Sequence, residues 1–331
     1  MMKNHLLLRS TALAILLVSV FSCSTKCDCD PDPYRDMLSE TDVLKTVVQV
    51  STTNLATGFE TLFENIYTNN ALEDSLIFAE YCQAVINPIR FFNDESGYFF
   101  VETNNAWMVA HATKPELIGT NRMDVQDLNG KYYVRDMVEA IDYKGFGFVD
   151  YYFENPANGL STRKLAFVKS IPAAQFFIGT GFYENGDSYY FTSEEAAKAV
   201  LEVATKSMGQ GLKGGFDMYE DSMAKVEFCR MFIDNIRFFD NQSGYFFVYD
   251  FNCVNVAHGA QKDLQGENLY DYQDSKGNYV IRDLVKIAKT QGSGYYDYYW
   301  NNPISGNEEP KTAFVYKLPG MDYFVGSGIY Y

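Results

Sequence analysis

The sequence predicts an α+β protein made of two copies of one module, each a five-stranded antiparallel sheet with a long helix at its N-terminal side. Three observations predict it. The segments Ile89-Arg90-Phe91-Phe92, Ser96-Gly97-Tyr98-Phe99-Phe100-Val101 and Val109-Ala110-His111 return 147 residues later, from Ile236-Arg237-Phe238-Phe239 to Val256-Ala257-His258. The offset also joins Cys82 to Cys229 and Gly179-x-Gly181-x-Tyr183 to Gly326-x-Gly328-x-Tyr330, so the copies are aligned without a net insertion. In both copies helical periodicity comes first and short aromatic alternation follows, the order expected of helices packed on an antiparallel sheet. Two copies are too few for a solenoid, and each is long enough to close a core of its own.

The first long helix starts at the cap-type run Ser39-Glu40-Thr41-Asp42. Leu44, Val48, Leu55, Phe59, Leu62 and Ile66 keep helical spacing on one face, and Asn69-Asn70 breaks it. A second helix runs from about Glu73 to Ile86 and ends before Pro88. Tyr98–Val101 and Trp107–Ala110 read as a hairpin around Asn104-Asn105. Asp127-x-Asn129-Gly130 is a turn, and Val134–Tyr143 a short helix stopped by Gly145-Phe146-Gly147. Strands follow at Phe148–Phe153, Lys164–Lys169 and Phe176–Thr180. The second copy has helices from Ser193-Glu194-Glu195 and over Asp221–Ile233, the former interrupted at Gly209-x-Gly211 and Gly214-Gly215. Its strands are Tyr245–Tyr249, Val254–Ala257, Tyr295–Trp300, Thr312–Tyr316 and Tyr323–Ser327.

Length and repeat together give two domains, at 39–189 and 190–331. A net charge of −16 disfavours nucleic acid and anionic membrane surfaces as partners. The N-terminus reads as a signal peptide over residues 1–22: Lys3, His5 and Arg9 precede an apolar run from Thr11 to Val20, too short to span a bilayer comfortably. Val20-Phe21-Ser22-Cys23 resembles the bacterial lipoprotein cleavage box, with Cys23 as the lipidated first residue and 23–38 as a tether; Phe21 departs from the smaller residue usual there. The alternative is an ordinary secretory signal cut near Ser22 or Ser24. Both readings export the chain. Cys27 and Cys29 sit in the tether, Cys82 and Cys229 read as small buried helix residues, and Cys253 has no partner, so there is no disulfide framework.

The ordered motifs resemble the extracytoplasmic Cache sensor domain of the single-Cache type 2 kind. In the first copy they are Arg90, Tyr98–Val101, Ala110-His111, Gly119-x-Asn121, Asp127–Gly130, Gly145-x-Gly147, Phe153–Pro156, Lys164, Phe167-Val168 and Gly179–Tyr183. In the second they are Arg237, Tyr245–Val248, Ala257-His258, Gly266-x-Asn268, Asp274–Gly277, Gly292-x-Gly294, Trp300–Pro303, Lys311, Phe314-Val315 and Gly326–Tyr330. The resemblance implies PAS-like modules that bind small extracellular metabolites, often short carboxylates. It also implies that such modules serve chemoreceptors and sensor kinases. No further apolar run of spanning length follows the signal and no output domain is recognisable, so any signal is expected to pass through a membrane partner.

The candidate ligand-binding residues are Arg90, Tyr98, His111, Lys164, Arg237, Tyr245, His258 and Lys311. An Arg fork suits a carboxylate, or else a structural ion pair. The resemblance places His111 and His258 beside the pocket; the competing role is to fix a strand end. Lys164 and Lys311 are pocket-edge cations in the family pattern and surface residues otherwise. Tyr98 and Tyr245 offer a hydroxyl or fill the core. Tyr132, Tyr133, Tyr151, Tyr279 and Tyr298 are further candidates that the sequence does not rank. The fragment Asp127-x-Asn129-Gly130 lacks the other ligands of a calcium loop, and no nucleophile motif or phosphate-binding loop occurs, so neither a metal, a cofactor nor catalysis is expected. The expected function is an extracytoplasmic lipoprotein that binds a small organic acid, the alternative a ligand-free structural or protein-interaction surface protein.

Overall fold

The computed structural model of the chain describes residues 37–66, 71–186 and 189–331. The expected signal peptide, Cys23 and the tether up to residue 36 lie outside them, as do Asn69 and Asn70. A short strand, β1 (Leu38–Ser39), leads into α1 (Glu40–Asn65), whose N-cap Ser39 accepts a hydrogen bond from the Asp42 amide at 3.2 Å. Leu38, assigned to the tether from sequence, is therefore already inside the fold. After α1 come α2 (Ala71–Ile86), β2 (Phe99–Thr103), β3 (Met108–His111), α3 (Tyr133–Lys144), β4 (Phe146–Glu154), β5 (Ser161–Ile171) and β6 (Phe176–Tyr183). The second module repeats the series after β7 (Tyr190–Phe191): α4 (Ser193–Phe216), α5 (Ser222–Ile233), β8 (Phe247–Asp250), β9 (Asn255–His258), α6 (Val280–Gln291), β10 (Ser293–Asn301), β11 (Glu308–Lys317) and β12 (Tyr323–Tyr330).

Both main sheets are five-stranded and antiparallel throughout. Their orders, β3-β2-β6-β5-β4 and β9-β8-β12-β11-β10, are the same in the two modules. The α+β class with a doubled PAS-like module is thus the observed one. Period-two alternation divides each sheet into two unlike faces. Phe99, Val101 and Ile178 point to the helices α1 and α2, whereas Phe100, Ala166, Val168 and Phe177 point outward beneath α3. Gly145, at φ 76°, ends α3 in the left-handed conformation that a residue with a Cβ adopts only at a cost.

Two expectations are corrected. The glycines of α4 do not interrupt it; the helix runs unbroken to Phe216. They are contact points instead. A Cβ on Gly214 would lie 1.9 Å from the Ala84 carbonyl oxygen of α2, and one on Gly215 would lie 2.1 Å from the Phe228 ring. Nor are the modules independent: each closes a core of its own on the outer sheet face, under α3 or α6, but their inner faces share one. Sheet, four helices and sheet form successive layers: α1 lies on β5 and β6, α4 on β11 and β12, and α1 and α2 pack on α4. One apolar core runs through the middle, joining Leu55, Phe59 and Phe78 to Met208, Phe216 and Phe232. The Phe59 ring meets Phe78 at 5.8 Å and Phe232 at 5.3 Å between centroids, both edge-on. Each such ring is fully buried, worth roughly 1.5–3 kcal/mol. Cys82, Cys229 and Cys253 are buried thiols without a bond.

Candidate functional site

In the first module, α3 and the loop after β3 roof the outer sheet face over a small pocket. Phe100, Glu102, Met108, His111, Leu117, Arg122, Tyr133, Met137, Tyr151 and Phe153 line it. His111 closes β3. Its Nδ1 accepts a hydrogen bond from the Lys114 amide at 3.0 Å, which leaves the ring proton on Nε2. Burial, then the positive charges of Lys164 and Lys114, hold its pKa down at about 3, so the ring is a neutral donor at ordinary pH. His258 is pinned alike by the Gln261 amide at 2.9 Å and is also held well below the usual histidine range, first by burial and then by Lys311.

Lys164 stands on the outer face of β5, in register between Tyr151 of β4 and Tyr183 of β6. It is wholly buried, and its Nζ has no hydrogen-bond acceptor among the described residues. It sits 3.8 Å from the Tyr98 ring centroid, with Tyr183, Phe153 and Phe100 farther out. Burial lowers its pKa to about 7. The closing Gly-x-Gly makes this approach possible: a Cβ on Gly181 would meet Lys164 Cε at 2.9 Å, and one on Gly179 the Phe100 ring at 2.4 Å. The matching Lys311 is differently placed. Its Nζ donates to the Tyr245 hydroxyl at 2.8 Å. The Tyr245 and Tyr330 hydroxyls are 3.0 Å apart, and Tyr330 donates to the Asn301 carbonyl at 2.9 Å. In the first module the Tyr98 and Tyr183 hydroxyls are 3.5 Å apart. Tyr98 and Tyr245 are buried phenols held well above the ordinary range, first by burial.

Arg90 and Arg237 do not join the cavities. Arg90 donates to the Asn87, Ile89 and Ala112 carbonyls, and Arg237 to those of Asp234, Ile236 and Gly259. Each guanidinium ties the end of the second helix of its module to the end of the hairpin, so its donors are committed to the backbone. Tyr132 and Tyr279 are at the surface over Arg135 and Arg282, while Tyr133, Tyr151 and Tyr298 are cavity-lining. Asp127 accepts from the amides of Asn129, Lys131 and Tyr152, which braces the turn against β4.

Two polar residues of the first cavity were not singled out from sequence. Glu102 follows Phe100 and Val101 on β2, at the bulge where the pairing with β3 shifts. Its side chain is buried, its Oε2 has no partner, and burial raises its pKa to about 8 against the pull of Arg122. Arg122 donates to the Tyr133 hydroxyl at 3.1 Å, and the Tyr133 ring stacks on Tyr151 with centroids 4.4 Å apart. At the 147-residue offset these three become Tyr249, Leu269 and Val280. The second pocket keeps Tyr249 in its lining but neither Leu269 nor Val280. The break in the repeat was the available signal, but it gains meaning only when the three positions are seen to share one wall.

A sheet with helices on one face and a roofed, partly polar cavity on the other defines a PAS-like sensory module, here doubled. The chain belongs to the Cache domain family: the dCache_2 family model, described as a Cache domain, matches residues 39–211 and 219–331. The chain is similar to the sensor histidine kinase MctS of Rhizobium johnstonii, at 38% identity over 89 residues, 27% of this chain and 19% of that protein. It is similar to the methyl-accepting chemotaxis protein McpP of Pseudomonas putida, at 23% identity over 147 residues, 44% of this chain and 26% of that protein. The matches thus span about a quarter or less of these relatives' lengths. Among solved structures, a methyl-accepting chemotaxis protein of Vibrio parahaemolyticus is 28% identical, covering 41% of this chain and 90% of its own, with a TM-score of 0.37. A Cache chemosensory domain solved to explain carboxylic acid recognition is 24% identical, covering 42% of this chain and 98% of its own, with a TM-score of 0.36.

Proposed function

We propose that the chain is an exported, lipid-anchored binding protein whose first module captures a small organic acid and whose bound state is read by a membrane partner. In this reading residues 1–22 are the signal peptide, Cys23 is lipidated, and 39–189 and 190–331 are the two modules. The observation that carries it is Lys164, a fully buried lysine whose Nζ has no acceptor among the described residues and lies 6.0 and 5.8 Å from the ring centroids of Phe100 and Phe153, which line the pocket. A carboxylate placed there receives charge-assisted hydrogen bonds from Lys164, and His111 Nε2 and the Tyr98 hydroxyl supply further donors. The aromatic walls exclude water, which strengthens each of these interactions. The role is binding rather than catalysis. A ligand-free structural role is favoured for the second module alone, because Lys311 already donates to the Tyr245 hydroxyl whereas Lys164 has no acceptor among the described residues.

The test is isothermal titration of the chain from residue 24 onward with short carboxylates. Lys164→Met is expected to weaken binding roughly 10- to 100-fold, the value of one charged hydrogen bond. Lys311→Met is expected to keep it. Equal affinity in wild type and Lys164→Met, or a loss confined to Lys311→Met, overturns the assignment.

A further inference from the structure

The cavity of the first module is polar at two places. One is the end lined by His111, behind which Lys164 Nζ lies 5.8 Å from the Phe153 ring centroid. The other is Glu102, whose buried Oε2 has no hydrogen-bond partner among the described residues. Arg122, which lines the same pocket, is turned to the Tyr133 hydroxyl. The residues that both modules share, Tyr98, His111 and Lys164 with their counterparts, form the first end. The residues that differ, Glu102, Arg122 and Tyr133 against Tyr249, Leu269 and Val280, form the second. A common anion end and a divergent acidic end are what a discriminating site needs: one contact holds the class, the other selects within it.

We infer that the ligand of the first module is a small zwitterion, a carboxylate at the Lys164–His111 end and a protonated amine against Glu102. The inference rests on the binding role proposed for Lys164. A buried carboxyl without a partner costs free energy, and a ligand ammonium removes that cost by pairing with it. A ligand lacking the amine leaves Glu102 as it was, so the amine is rewarded and its absence penalised. Register sets the length. His111 pairs with Phe100, and Glu102 lies two residues further along β2, about 7 Å away along the strand. That spacing favours amino acids whose amine is separated from the carboxylate by several methylenes over α-amino acids.

The test uses matched pairs on the chain from residue 24 onward: propionate and 3-aminopropionate, butyrate and 4-aminobutyrate, pentanoate and 5-aminopentanoate, with glutarate added. In wild type the amino member of the longer pairs should bind at least tenfold more tightly than the plain acid. In Glu102→Gln that ratio should collapse to about one, and in Lys164→Met both members should bind weakly. If plain acids bind through Lys164 but the amine gives no advantage, or if the advantage survives in Glu102→Gln, the inference fails and the Lys164 assignment stands. Tighter binding of glutarate than of any amino acid also overturns it, since Glu102 then acts in its protonated form. No binding by any of these acids overturns both. Should Glu102→Gln fail to fold, Glu102→Tyr, which installs the residue of the second module, supplies the same ratio.

Discussion

Lys164 and Glu102 are moved in opposite directions from their ordinary ranges, and each movement fixes a sign. Lys164 is lowered to about 7, so the folded chain holds fewer protons there than the unfolded chain up to the ordinary 10.5, and this group adds stability as pH rises through that window. Glu102 is raised to about 8 from the ordinary 4.5, so the folded chain keeps a proton that the unfolded chain has lost. Its contribution to stability is fully present below 4.5 and falls as pH rises towards 8. Unfolding free energies of the ligand-free chain, taken from urea titrations between pH 5 and 8, should therefore fall relative to those of Glu102→Gln, by at most about 1.4 kcal/mol per pH unit. Parallel curves would show that Glu102 titrates normally. Carboxylate affinity should also weaken above pH 7 as Lys164 loses its proton, whereas His111, at about 3, contributes no slope between pH 5 and 8. Sequence brought His111, Lys164 and Tyr98 to one list because the repeat marks them twice. It missed Glu102 because one glutamate in a strand looks like any solvated residue. It put Arg90 among the ligand contacts because backbone carbonyls, its actual partners, leave no trace in a sequence.

At the level of the element, α4 shows how one residue type carries opposite meanings. Glycine lowers helix propensity by about 1 kcal/mol relative to alanine, so a glycine-rich stretch reads as a break. In the structure the same stretch is where α4 meets α2 and α5 most closely. Gly214→Ala and Gly215→Ala should each destabilise the chain by about 1–3 kcal/mol, the cost of overpacking, despite the gain in propensity. A higher urea midpoint in either variant would show that the close contact is dispensable. The strands were far more legible than this helix. Their aromatic alternation and the turns at Asn104-Asn105 and Gly145 are local signals, whereas the surroundings of a helix face are set by segments distant in sequence.

On the scale of the whole molecule, the central core makes the two modules interdependent. A fragment of residues 39–189 would expose the Phe59 ring where Phe232 now packs edge-on against it. It should fail to give a cooperative thermal transition, and the chain from residue 24 onward should show a single one by calorimetry. Two separated transitions, or a stable fragment, would contradict the common core. The repeat revealed that there are two modules but not that they share an interior, because matched positions say what is alike and nothing about what touches. The shared start of the two long helices has a further consequence. β1 pairs with β7, so the caps Ser39 and Thr192 are neighbours, and Val43 and Val47 of α1 meet Ala196 and Val200 of α4. The two helices leave from one end, and their peptide dipoles add instead of cancelling, concentrating positive potential there. Glu40 and Asp42 on one helix and Glu194 and Glu195 on the other bring four carboxylates to that end, so part of the chain's acidity is a local counterweight to its own backbone.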